Sequence, residues 1–195
     1  DLIRFTVNAT DEAFIAQLSN RVHLINLADY LLFMNLVGAD DNTGKNSFFS
    51  FYNSNFPQFF ITPWDLDGSW GRKWNGSKID LREDDFIGIT GPMRVDSRYC
   101  RPNAFFQRVM ALNPGNFRQI LQQRWALHRS GEFTATRFAE RLTTYGTLLT
   151  ESGAWDREKQ RWASSLGGID LDTELDFMLT WITNRLQQMD NLIVL

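Results

Sequence analysis

Two short runs of aromatic, strand-forming residues, Ser47 to Tyr52 and Phe59 to Thr62, are separated only by Asn53-Ser54-Asn55-Phe56-Pro57. Strand formers on both sides of a turn-forming cluster specify a β-hairpin. A hairpin returns the chain to where it started, so the segments flanking it must meet at one end. The segment before it reads Asp40-Asp41-Asn42-Thr43-Gly44-Lys45-Asn46, and the segment after it reads Pro63-Trp64-Asp65-Leu66-Asp67-Gly68-Ser69-Trp70-Gly71-Arg72. The loop at 40–46 and the turn at 65–68 are therefore expected to form one polar site. In an extended segment Asp65 and Asp67 point to the same side.

Oxygen-rich side chains converging on one point suit a hard divalent cation, and Mg²⁺ typically takes one or two carboxylates plus phosphate oxygens and water. Asp65 is the first metal-ligand candidate, with Asp67 on the same metal or a second one, and Asn46 as a neutral oxygen donor. The apolar neighbours Pro63, Trp64 and Leu66 suggest a partly desolvated setting, where two close carboxylates repel unless a cation lies between them. The competing reading is that both aspartates simply cap a turn. Asp41, with Asp40 its rival, is the candidate to orient, or accept a proton from, an attacking hydroxyl. Phosphoryl transfer asks mainly for positioning and charge neutralisation, so a positioned carboxylate suffices. Lys45 can neutralise phosphate charge, although a solvated lysine is its default role, and Asn42 reads as a loop former.

The 195 residues suit one domain with a sizeable core, and 43% hydrophobic and 14% aromatic content argue against disorder. A net charge of −3 gives no electrostatic reason to expect nucleic-acid binding. Cys100 is the sole cysteine, which excludes an internal disulfide. No apolar run approaches the roughly 18 residues of a membrane span, so no transmembrane segment is expected.

Helical periodicity supplies the rest of the framework. A short helix is expected from Asp11 to Ser19 with Thr10 or Asp11 as its cap, and a buried one over 22–37, where Leu24, Leu27, Ala28, Leu31, Leu32 and Leu36 recur and Gly38 ends it. Asp29, mid-helix among apolar residues, is expected to bond a buried partner and brace the polar loop. Residues 69–101 are the least regular stretch and include the acidic run Glu83-Asp84-Asp85. Further helices are expected from Pro102 to Leu112 and over 114–129, 134–151 and 171–192, with a shorter one over 154–164. The fold class is α+β, mainly helical with one small sheet. His23 and His128 lack metal-ligand spacing and read as structural, and Trp64, Trp70 and Trp74 as packing residues. Asn8-Ala9-Thr10 and Asn75-Gly76-Ser77 match glycosylation acceptors.

Asp41, Asn46 five positions later, a hairpin and then Asp65 follow the order of protein kinases: catalytic-loop Asp, metal-holding Asn, hairpin, second metal-binding Asp. The usual His-Arg before the catalytic Asp is replaced by Ala39-Asp40, and Asp-Phe-Gly by Asp65-Leu66-Asp67-Gly68. More closely, Asp41-Asn42-x-x-Lys45-Asn46, Pro63-Trp64-Asp65-Leu66-Asp67 with Gly71, and Leu27-Ala28-Asp29-Tyr30 resemble the CotH kinase family. Gln123-Arg124-Trp125 and Trp181-Ile182-Thr183-Asn184-Arg185-Leu186 resemble that family's C-terminal helices, so the likeness runs through nearly the whole chain.

The resemblance implies a kinase-like C-terminal lobe that binds ATP with Mg²⁺ or Mn²⁺ and phosphorylates Ser or Thr of an acceptor protein, in an extracytoplasmic setting such as a cell surface or spore coat. No glycine-rich G-x-G-x-x-G loop occurs, and only some twenty residues precede the helix that carries Asp29 and Tyr30. The chain is therefore expected to be a single domain over 1–195 belonging to a longer protein, with most of the nucleotide-covering N-terminal lobe elsewhere. The alternative is a non-catalytic kinase-like domain that displays aromatic and acidic loops for surface or spore-coat binding. A metal-dependent phosphate-ester hydrolase would use the same carboxylates but lacks enough ligands for a two-metal site.

Overall fold

The computed structural model describes residues 1–39, 42, 44–51, 53–73, 75–79 and 104–193. Asp40, Asp41, Tyr52, Trp74, the acidic run at 83–85, Cys100 and Pro102 lie outside them. Two short helices open the chain, α1 (Leu2–Asn8) and α2 (Asp11–Gln17), each begun by a side-chain cap. Asp1 accepts from the Ile3 amide at 3.1 Å and the Thr10 hydroxyl from the Ala13 amide at 3.3 Å, pairing donors that a first helical turn leaves free. Sequence signals mark helical structure only from Asp11 onward. The Leu2–Asn8 stretch is rich in weak helix formers, and tertiary packing decides its conformation. Leu2 and Phe5 pack against the core, with Phe5 stacked on Phe14 at 5.5 Å.

After a 3₁₀ turn at Leu18–Asn20 comes α3 (Leu24–Val37), the axis of the molecule. Leu27, Ala28, Leu31, Leu32, Met34 and Leu36 are buried on all its sides, as befits a helix wrapped by others. The expected terminator Gly38 does end it, in the left-handed conformation at φ 65°.

Strands β1 (Ser47–Ser50) and β2 (Phe60–Pro63) form the expected antiparallel hairpin, in the register Ser47–Pro63, Phe48–Thr62, Phe49–Ile61 and Ser50–Phe60. Asn26 of α3 sets the phase of the ladder. The Ile61 amide donates to Asn26 Oδ1 at 2.7 Å and Asn26 Nδ2 donates to the Ile61 carbonyl at 3.2 Å. Ile61 thus turns its main-chain groups away from β1, and Phe48–Thr62 and Ser50–Phe60 are the hydrogen-bonded pairs. Pro63, which has no N–H, falls at a non-bonded pair and costs the ladder nothing. The outer side of β2 is further held by the Phe59 amide on Arg21 O at 2.7 Å and the His23 amide on Phe59 O at 3.0 Å.

The second half is helical: α4 (Ala104–Leu112), a 3₁₀ turn at Pro114–Asn116, then α5 (Phe117–Arg129), α6 (Ala135–Glu151), α7 (Ala154–Arg161), α8 (Ala163–Leu166) and α9 (Leu171–Leu192). The single helix expected over 154–164 is two, broken at Trp162, whose φ −116° and ψ 41° are not helical. α3 packs against α5, β2 and α9, and α6 lies along α9. Trp125 of α5 and Ile182 of α9 are both fully buried in the same cluster as Leu31 and Leu32. Among the described residues, no helix is long and apolar enough to cross a membrane.

Among the described residues Asp29 does not reach the polar loop that it was expected to brace; it joins α3 to α5. Arg124 Nε and Nη2 donate to its two carboxylate oxygens at 2.7 and 2.9 Å, and His128 Nε2 lies 2.8 Å from Oδ1. His128 faces it because α5 presents positions 124 and 128 on one side.

Candidate functional site

The site is built on the C-terminal end of α3. A helix leaves its last carbonyls without intrahelical partners, and here those of Met34, Asn35 and Val37 are taken by groups beyond the helix. The Ala39 amide donates to Met34 O at 3.0 Å and the Trp70 amide to Val37 O at 2.6 Å. The fully buried Arg185 of α9 donates from Nε to Asn35 O at 2.7 Å, placing a positive charge where the helix dipole is negative. The loop that follows therefore leaves a fixed platform.

Asn42, 2% exposed, organises that loop. Its side-chain amide donates to the main-chain carbonyls of Asn46 and Trp64, each at 2.7 Å. The Trp64 amide in turn donates to Asn46 O at 2.8 Å, which extends the hairpin ladder by one pair. The carbonyl of Asn42 accepts from the buried Tyr30 hydroxyl, one residue after Asp29 on α3. Burial pushes the Tyr30 phenol up to about 12, against a smaller lowering by the Ser47 hydroxyl. Tyr30, rather than Asp29, is thus the helix residue that braces the polar loop.

These bonds confirm the expected meeting of the two flanking segments: Asn46 and Trp64 are paired, with Lys45 just before and Asp65 just after. Lys45 and Asp65 are exposed and Asn46 is half-buried. Two expectations about the aspartates need correction. Asp65 is not extended; it sits in the left-handed region at φ 58°, so the alternation that would align it with Asp67 does not apply. Neither aspartate is desolvated, because both are exposed and the neighbouring Trp64 is itself 62% exposed. Leu66 alone turns inward against the core. Asp67 Oδ1 accepts from the Gly68 amide at 2.8 Å, a turn-capping bond that leaves its other oxygen unused by it.

The rest of the turn is anchored to the C-terminal helices. The Ser69 hydroxyl donates to Leu66 O, and Trp70 packs edge-on against Phe138 of α6 at 5.5 Å. Gly71, at φ 82°, lies so close to Trp181 of α9 that a Cβ there would sit 2.3 Å from the indole. Arg72 clamps Glu174 of α9 through Nε at 3.0 Å and Nη2 at 2.6 Å. Ser69, Trp70 and Arg72 gave no functional signal in the sequence beyond their place in the motif; the helix partners of Trp70 and Arg72 lie more than 30 residues away.

The donor set can be weighed against a divalent ion. Asp65, Asp67 and the Asn46 side chain offer hard oxygen ligands of the kind Mg²⁺ and Mn²⁺ prefer. Among the described residues no group of three or more His, Cys, Asp or Glu is gathered that could hold an ion by itself. Such a set fits a metal that brings phosphate and water as its remaining ligands, and does not fit an all-protein cage. Asp41, the candidate for the acceptor hydroxyl, lies outside the described residues, immediately before Asn42.

A helical body, one small antiparallel hairpin and a polar loop joined to an acidic turn at the hairpin's end define a kinase-like α+β domain. The family model described as CotH kinase protein matches residues 1–189, and the chain belongs to the CotH kinase family. A comparison with curated proteins finds no match.

Proposed function

We infer that this domain holds a divalent-metal–nucleotide complex and serves transfer of the ATP γ-phosphate to Ser or Thr of a protein. The observation that carries the reading is the pair of hydrogen bonds that the Asn42 side chain donates to Asn46 O and Trp64 O, which draws the candidate ligands Asn46 and Asp65 to one end of the hairpin. Bound Mg²⁺ or Mn²⁺ would supply neutralisation of the phosphate charge. Asp65 and Asn46 would hold it, with Asp67 contributing its free oxygen. Lys45 would add positive charge towards the phosphates, and Asp41 would orient the acceptor hydroxyl and take up its proton. The left-handed backbone at Asp65 serves this role, since it turns the carboxylate out of the strand direction and into solvent where a ligand can reach it.

The test is calorimetric titration of Mn²⁺-ATP into the native chain and into Asp65→Asn and Asn46→Ala variants, followed by phosphotransfer assays on the same proteins. Binding by the native chain that is lost in both variants supports the reading. Phosphotransfer by the Asp65→Asn variant at the native rate refutes it. A chain that neither binds nor is thermally stabilised by Mn²⁺-ATP favours the non-catalytic binding domain, because a ligand selective for the folded state must raise its stability by mass action.

A further inference from the structure

The two edges of the hairpin are unequal. The outer side of β2 is closed by Asn26, Arg21 and His23. The same ladder phase turns the main-chain N–H and C=O of Ser47, Phe49 and Phe51 to the outer side of β1, and no described residue hydrogen-bonds them there. An uncovered strand edge is a template for another strand unless charge, proline or a bulge blunts it. The stretch from Asn46 to Phe56 contains no charged residue and no proline. Its side chains are open as well: Phe48 is 56%, Phe49 42% and Phe51 57% exposed, and Trp64, packed edge-on against Phe48 at 5.8 Å, is 62% exposed.

We propose that β1 pairs with β1 of a second copy of this chain across a twofold axis at Phe49, giving a four-stranded antiparallel sheet. The edge is self-complementary in this register. Phe49 faces Phe49 of the second copy as a hydrogen-bonded pair, and Ser47 faces Phe51 of the second copy, so every outward group of one strand meets one of the other. The strand is uncharged, so the axis brings no like charges together although the whole chain carries −3. An aromatic side chain buries about 150–250 Å². Four such side chains about half exposed offer roughly 400 Å² per copy, or roughly 800 Å² in total before the strand backbones are added. Specific interfaces begin near roughly 1,000 Å², so the assembly is a reversible, concentration-dependent dimer. The two polar loops lie at opposite ends of the joined sheet, leaving both candidate sites open. The pairing does not depend on phosphotransfer.

Sedimentation velocity over a wide concentration range, on the native chain and on Phe49→Pro and Phe48→Lys variants, tests the pairing. Proline at 49 removes only an outward N–H and spares the hairpin's own bonds, and lysine at 48 sets charge at the axis. The native chain is expected to dimerise, and each variant to associate at least an order of magnitude more weakly while keeping its far-ultraviolet circular dichroism. A register check uses Phe49→Cys in a Cys100→Ser background. Hydrogen-bonded antiparallel partners lie about 5.5 Å apart at Cα, inside the roughly 4.4–6.8 Å range for a disulfide. Phe49→Cys should therefore cross-link on oxidation and Phe48→Cys should not. A native chain that stays monomeric at its highest soluble concentration overturns the proposal, even if its edge captures an unrelated extended peptide. A dimer that survives both substitutions, or cross-links equally from either position, overturns it too.

Discussion

The side-chain amide of Asn42 donates to the main-chain carbonyl of Trp64 at 2.7 Å, a bond that spans 22 positions of sequence. Because the same NH₂ also reaches Asn46 O, one buried residue sets the separation of the two segments that carry the candidate ligands. An unmade bond at a buried polar group costs about 1–3 kcal/mol. Asn42→Ala strands the Trp64 carbonyl, while Asn46 O keeps the Trp64 amide, so it should lower stability by about 1–3 kcal/mol in urea denaturation and weaken Mn²⁺-ATP binding. Asn42→Asp should be worse at neutral pH, where a carboxylate faces two carbonyls, and should partly recover below the carboxyl's pKa. Equal stability of the two variants across pH would show that the amide is not the tie.

Asp65 should behave in the opposite way. It is exposed, and asparagine tolerates the left-handed backbone that Asp65 adopts at φ 58°. Asp65→Asn should therefore leave the melting temperature almost unchanged, since exposed substitutions usually stay within about 0.5 kcal/mol. The same variant should abolish metal–nucleotide binding in calorimetry. A large loss of stability would mean that the carboxylate is a structural turn cap.

Tyr30 gives the alkaline limb of stability a specific cause. Its phenol is raised from 10.0 to about 12 in the folded chain by burial. Between those values the folded state binds more protons than the unfolded state, so stability is complete below the lower value and falls as pH rises towards the upper one. The loss amounts to about 2–3 kcal/mol. Denaturation followed from neutral pH upward should show this decline in the native chain and a flatter curve in Tyr30→Phe. Identical slopes would assign the decline to other groups.

Gly71 should resist even the smallest side chain. Alanine there must hold φ near 82° and place Cβ 2.3 Å from the Trp181 ring, so the turn or α9 has to move. Left-handed strain of about 1–2 kcal/mol and overpacking of about 1–3 kcal/mol predict a loss of about 2–5 kcal/mol. Thermal unfolding of Gly71→Ala checks this, and a change below the measurement error would mean that the turn is loosely held. Intrinsic tryptophan fluorescence should shift in parallel if Trp181 is displaced.

What could be read from the chain alone followed from local rules. Leucines three and four apart marked α3 and Gly38 marked its end, because helix periodicity and the left-handed cap are properties of a few neighbouring residues. Aromatic runs around an Asn-rich turn marked the hairpin, and simple geometry then required residues 46 and 64 to meet. Family membership was legible in the Asp-Asn-x-x-Lys-Asn and Pro-Trp-Asp-Leu-Asp motifs.

Tertiary structure decided the rest, because it depends on partners far along the chain. Nothing local shows that Tyr30 rather than Asp29 reaches the polar loop; the difference is which side of α3 faces α5, where Arg124 and His128 claim Asp29. Helix formation at Leu2–Asn8, against its weak propensity, comes from packing Phe5 on Phe14. The turn at Asp65 departs from the strand because Leu66 is drawn into the core while Trp70 and Arg72 are held by α6 and α9. Residue types and their spacing determined which groups this end of the hairpin can offer to a ligand. Burial and long-range hydrogen bonds decided where those groups point, because these energies exist only once distant segments have met.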